Sequence, residues 1–107
     1  MKEETNMDKW IEALNGDAYT TEQKCELNYT IRTYSLSPEE LKILFNPALD
    51  AKQIGEIRAG MLESSLSFEQ VKLYARPEID WASMWELRKC LLNGMDQELV
   101  AMIIDSC

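Results

Sequence analysis

Glutamate recurs at positions 26, 56 and 86 and arginine at 58 and 88, so carboxylate and guanidinium columns repeat every thirty residues. Such columns can pair across stacked units, where an exposed pair is worth about 0–1 kcal/mol. They can also line a polar strip that meets a partner. Acid–base catalysis is harder to assemble. The chain has no histidine, which removes the commonest general base, the Ser–His and Cys–His nucleophile pairs and the usual transition-metal ligand. Any reaction would fall to carboxylates or to Cys25 or Cys90, and nothing in the sequence supplies a base to either thiol. With Cys107 the cysteines form an odd set without paired spacing, which reads as reduced, packed thiols rather than a disulfide framework or a zinc site. Cys107 follows the last helix directly and reads as exposed. No catalytic residue, metal or cofactor is expected.

Recognition has better material. Trp81, Trp85 and Arg88 share one face of a helix, with Met84 at its edge. Their counterparts thirty residues earlier are Ala51, Gly55 and Arg58, so the tryptophans are additions to the repeat, not requirements of it. Trp and Arg are enriched at interface hot spots. Trp81, Trp85 and Arg88, with Glu56 and Glu86, form the candidate partner-binding set; the competing reading has the tryptophans covering the end of the stack. Asp80 beside Glu78 suggests a metal ligand, but Thr20 occupies the same column and could not replace a carboxylate there. Asp80 reads as a helix cap.

These residues are positioned by an internal repeat. A shift of thirty places Gln23 on Gln53, Leu27 on Ile57, Ser35-Leu36-Ser37 on Ser65-Leu66-Ser67, and Pro47 on Pro77. Near Asn93-Gly94 the shift drops to 29, placing Ser67 on Asp96 and Val71 on Val100. Each unit carries two helix starts. Thr20, Asp50 and Asp80 cap the first helices, with Gln23 and Gln53 completing capping boxes. Ser37, Ser67 and Asp96 cap the second helices, with Pro38 at a first helical position and Glu40 as a box partner. Leu99 stands where the third copy would need that partner. Leu49 with Ile54, and Ile79 with Met84, are spaced as hydrophobic staples; Tyr19 with Lys24 departs from this, which marks the first unit as looser. Pro47 and Pro77 stop the preceding helices. Gly60, matched by Thr30 and Cys90, predicts close helix–helix approach, since glycine in a helix costs about 1 kcal/mol relative to alanine.

Ile11 and Leu14 fall on Leu41 and Leu44, so a helix near residues 6–15, stopped by Asn15-Gly16, mimics the second helix of a unit. The chain divides into a leading half repeat, 6–16, and repeats over 17–46, 47–76 and 77–107, in a single domain over 1–107. The fold class is all-α: short helical hairpins stacked as a small α-solenoid or superhelical bundle of about seven helices, each unit covering its neighbour's apolar face.

The segment Tyr74-Ala75-Arg76-Pro77-Glu78-Ile79-Asp80-Trp81, with Glu86-Leu87-Arg88 and Gln53-Ile54-Gly55-Glu56-Ile57-Arg58, resembles a known pattern. It is similar to helical-hairpin repeats of the form YA-x-PEFDW-x-QM-x-EIR-x-GL from poorly characterised Firmicutes proteins of plasmids, phages and conjugative elements. The likeness runs over residues 45–104. Ser83-Met84 replaces the Gln-Met pair, Cys90 replaces the glycine, and the usual unit is longer. The resemblance implies a fold and a mobile-element habitat but no chemistry.

Composition narrows the partner. The charge of −8 disfavours direct nucleic-acid binding, which needs clustered Lys and Arg. No run approaches the roughly 20 apolar residues of a membrane span, and the start has no apolar signal region, so a cytoplasmic protein is expected. A non-enzymatic protein-interaction module leads. The alternative is an acidic inhibitor of a host nucleic-acid-handling defence enzyme, anti-CRISPR-like, whose carboxylates mimic phosphates. The exposed apolar run Leu99–Ile104 adds a homodimer through the C-terminal repeat.

Overall fold

Every helix start expected from the capping pattern that falls among the described residues begins a helix in the computed structural model, which describes residues 10–106. The leading helix, α1, is described over residues 10–14; the earlier part of the expected 6–15 span lies outside the described residues. Six helices follow: α2 (Thr21–Thr33), α3 (Pro38–Leu44), α4 (Ala51–Leu62), α5 (Phe68–Tyr74), α6 (Trp81–Leu92) and α7 (Gln97–Asp105). The described residues are all-α and contain no strand. Thr20, Ser37, Asp50 and Ser67 each close a complete capping box, with Gln23, Glu40, Gln53 and Gln70 as reciprocal partners. Asp80 and Asp96 cap without a box, as Ser83 and Leu99 in the partner positions require.

The one-residue deletion in the third unit has a visible cause. Gly94 adopts φ 93°, the only positive φ among the described residues. Its N–H donates to Leu91 and that of Met95 to Cys90, both at 3.0 Å. A left-handed glycine reverses the chain in fewer residues than the Glu63–Leu66 connection before α5.

The first helices of successive units pack in series, α2 on α4 and α4 on α6, while α5 sits against α4, α6 and α7. The stack measures 41 × 26 × 18 Å. Its core runs through it as columns: Leu27 and Ile57 are fully buried because a following unit covers each, whereas their third counterpart, Leu87, is only partly buried. Burying a Leu or Ile is worth about 1.5–3 kcal/mol, so these joints hold the units together.

One expectation needs correction. The close helix–helix approach expected at Gly60 is made by a side chain of the neighbouring helix. A Cβ built there would lie 1.8 Å from the Tyr74 hydroxyl oxygen, so the glycine opens a notch for that side chain. Tyr74 is fully buried, its hydroxyl finds no hydrogen-bond partner among the described residues, and burial pushes its pKa up. The two helices of the first unit pack less closely than those of the later units, as expected, and aromatic side chains stand in for the missing staple. Tyr19 is buried and meets Phe45 edge-on at 6.1 Å, while Trp10 of α1 meets Phe45 at a tilt of 53°, with ring centroids 5.0 Å apart. In α7, Val100 is buried while Leu99, Met102 and Ile103 are exposed. No helix among the described residues is long and apolar enough to cross a membrane.

Candidate partner-binding site

The glutamate and arginine columns meet across the joints. Arg58 Nη1 donates to Glu26 Oε1 at 2.5 Å and to Thr30 Oγ1 at 3.3 Å, and its Nε reaches Glu63 at 3.3 Å. Arg88 Nε donates to Glu56 Oε1 at 3.0 Å, with side chains only 17% and 15% exposed. Each arginine thus reaches back to the glutamate of the preceding unit. Tyr34 reinforces the first joint by donating to Glu63 at 2.8 Å, and that hydrogen bond raises its pKa.

A second device was hidden in the capping boxes. Gln53 uses its carbonyl to accept the Asp50 N–H at 2.8 Å, and its amide nitrogen donates forward to the carbonyls of Pro77 (2.9 Å) and Ile79 (2.6 Å). Gln23 repeats the arrangement, donating to Pro47 at 3.0 Å and to Leu49. One side chain therefore caps its own helix and grips the linker entering the next. The repetition of Gln23 as Gln53 showed a cap; the clamp lies 24 and 26 residues downstream and needed the fold.

The candidate residues separate accordingly. Glu56 and Arg88 lie inside the α4–α6 joint and are occupied with each other, so Arg88 does not join the tryptophans as an exposed contact. Trp81 and Trp85 are 42% and 38% exposed. Trp81 leans toward the preceding unit, lining an open groove with Glu26, Ala51, Lys52, Gly55 and Arg58. Trp81 therefore faces the preceding unit and not the open end of the stack. Lys52 Nζ lies 5.2 Å from the Trp81 ring and Lys89 Nζ 4.0 Å from the Trp85 ring, both cation–π contacts. Glu86 is exposed and sits apart from the tryptophans, in a groove of about 300 Å³ between α6 and α7 lined by Ile79, Asp80, Ser83, Leu87, Ile103 and Ile104 among others.

Asp80 is a cap: its Oδ1 accepts the Ser83 N–H at 2.8 Å. Hydrogen bonds from the Ser83 backbone, then its side chain, hold its carboxyl below the usual range. No group of three or more Cys, Asp or Glu side chains suited to a metal ion occurs among the described residues. The expectation of packed thiols holds in part: Cys90 is half-buried, but Cys25 is exposed, and Cys107 lies outside the described residues.

Comparison with protein-family models, with curated proteins and with solved structures found no match. The functional reading therefore rests on the surfaces themselves.

Proposed function

We propose that this chain is a non-enzymatic protein-interaction module that docks a protein partner through its last repeat, with Trp81 and Trp85 as the anchors. The observation that carries this reading is their exposure. Two large aromatic rings stand about 40% exposed on one helix face, at positions where the preceding unit manages with Ala51 and Gly55. Neither ring belongs to the hydrophobic core, and the hydrophobic driving force disfavours leaving them in water. Lys52 and Lys89 over the rings give the face a basic fringe inside an otherwise acidic chain, which sets partner choice by charge. Chemistry has less support: Asp80 in the α6–α7 groove has its pKa lowered by capping, where a general acid needs it raised.

Capture from a Firmicutes lysate, the setting that the repeat resemblance supplies, tests the reading. A partner held by the wild-type chain should be lost by Trp81→Ala/Trp85→Ala of unchanged helicity. Truncating a hot-spot aromatic costs about 2 kcal/mol or more, roughly a thirtyfold loss of affinity. Equal retention by the double variant refutes the tryptophan surface.

The second reading, an acidic inhibitor of a nucleic-acid-handling defence enzyme, is favoured by the charge of −8. Glu26 and Glu56 are occupied by arginines, so phosphate mimicry would fall to carboxylates such as Glu78 and Glu86. Charge reversal at those two positions, with loss of inhibition, would distinguish it from tryptophan-led docking.

A further inference from the structure

The two internal joints describe what the face of α6 that lines the α6–α7 groove is shaped to receive. On α2 that face presents Gln23, Glu26 and Leu27; on α4 it presents Gln53, Glu56 and Ile57; on α6 it presents Ser83, Glu86 and Leu87. In the first two cases a helix lies across it, with an arginine on the glutamate and the apolar residue sealed beneath. In the third, Glu86 is exposed without a partner among the described residues, Leu87 is partly open, and the groove extends over Ile79, Ile103 and Ile104. The carboxylate and the apolar floor are retained. The clamp is not, because Ser83 cannot reach forward as Gln23 and Gln53 do to grip a repeat linker.

We infer that this face is a docking groove for an amphipathic helix of a partner protein that presents an arginine to Glu86 and apolar side chains to Leu87, Ile79 and Ile104. Losing the linker clamp while keeping the arginine acceptor suits a helix that arrives without a repeat linker before it. Charge disfavours the symmetric self-pairing of this face, since two copies would bring Glu78, Asp80 and Glu86 near the same carboxylates. The same carboxylates favour a basic helix. This groove is separate from the tryptophan surface and does not depend on it.

The probe is a fluorescent peptide of residues 47–62 of this chain, which contains α4, the helix that fills the equivalent face of α2. A lactam between its Lys52 and Glu56 holds it helical, since a free helix of this length is marginal in water. Anisotropy titration against the intact chain should saturate. Arg58→Glu in the peptide should weaken binding at least about tenfold, the loss of one charge-assisted contact of about 1.5–3 kcal/mol. Glu86→Arg in the chain should restore the reversed peptide and reject the original. Trp81→Ala/Trp85→Ala should bind the peptide as the wild type does, so failure here and failure of the tryptophan surface are read separately. Absence of saturable binding, or a charge swap without rescue, overturns the inference. Sedimentation showing a dimer that Glu86→Arg dissociates would also overturn it, naming a second copy as the occupant.

Discussion

Replacing Gly60 by alanine should destabilise the chain, although helix propensity alone favours the change by about 1 kcal/mol. The added methyl would lie 1.8 Å from the Tyr74 hydroxyl oxygen and 3.1 Å from its ring carbon. Overpacking of this kind costs about 1–3 kcal/mol, and a contact so far inside van der Waals distance belongs at or above the top of that range. A net loss of about 2 kcal/mol follows, which lowers Tm by about 8–16 °C in a domain of this size. Tyr74→Phe alone removes a buried hydroxyl that has no partner among the described residues, so it should be neutral or stabilising by about 1 kcal/mol. In the double variant the ring carbon at 3.1 Å and Arg88 Cδ at 3.4 Å remain close, and a shift of a few tenths of an ångström relieves both. The double variant should therefore be at least as stable as Tyr74→Phe, exceeding it by up to about 1 kcal/mol as the helix-propensity gain is recovered. Urea unfolding of all four proteins, followed by far-ultraviolet circular dichroism, completes the cycle. If the two single effects simply add, Gly60 has some other purpose and the notch is refuted.

Gln53→Glu separates the clamp from the cap: Glu40 shows that a glutamate completes a capping box, but an ionised carboxylate cannot donate to Pro77 and Ile79. Two hydrogen bonds at about 1 kcal/mol each predict a loss of about 2 kcal/mol at neutral pH, read by urea unfolding and reduced when the carboxylate is protonated in acid. Arg88→Met, which leaves the largely covered Glu56 unpaired, should cost about 1–3 kcal/mol, whereas Glu86→Gln at the exposed counterpart should stay within about 0.5 kcal/mol. Asp80 has a folded pKa below its ordinary 3.8, so its contribution is complete above that value and is lost as pH falls through the folded pKa. The stability difference between wild type and Asp80→Asn, followed by thermal unfolding across acid pH, should shrink in that window; a difference independent of pH would refute the cap.

The architecture was legible because capping is local. A Ser or Asp three residues before a Gln or Glu announces a helix start whatever surrounds it, and the thirty-residue shift supplied the packing order. The glutamate and arginine columns could be aligned but not assigned, since a pair 32 residues apart and a solvated strip look alike in one dimension. Structure decided that: the columns face each other across the joints. Gly60 was misread because its reason, Tyr74, lies on another helix; the sequence signal was that the glycine and the tyrosine enter the repeat in the same unit. The tryptophans are legible as additions to the repeat, but the lean of Trp81 toward Lys52 depends on the rotation of α6, which spacing alone does not give.

The joints also bear on how such a chain can change length over generations. The bonds that recur at both joints link a position in one unit to a fixed position in the next, at separations of 24, 26 and 32 residues. Excising residues 47–76 would bring Gln23 to the carbonyls of Pro77 and Ile79 and Glu26 to Arg88 at those same separations. Gly60 and Tyr74 would leave together, so neither is stranded. Unequal recombination between the coding segments of two repeats would therefore yield a chain that keeps the clamp and the glutamate–arginine pair at its joint and loses only the Tyr34–Glu63 bond. The number of units is open to selection in a way that the length of an ordinary globular domain is not.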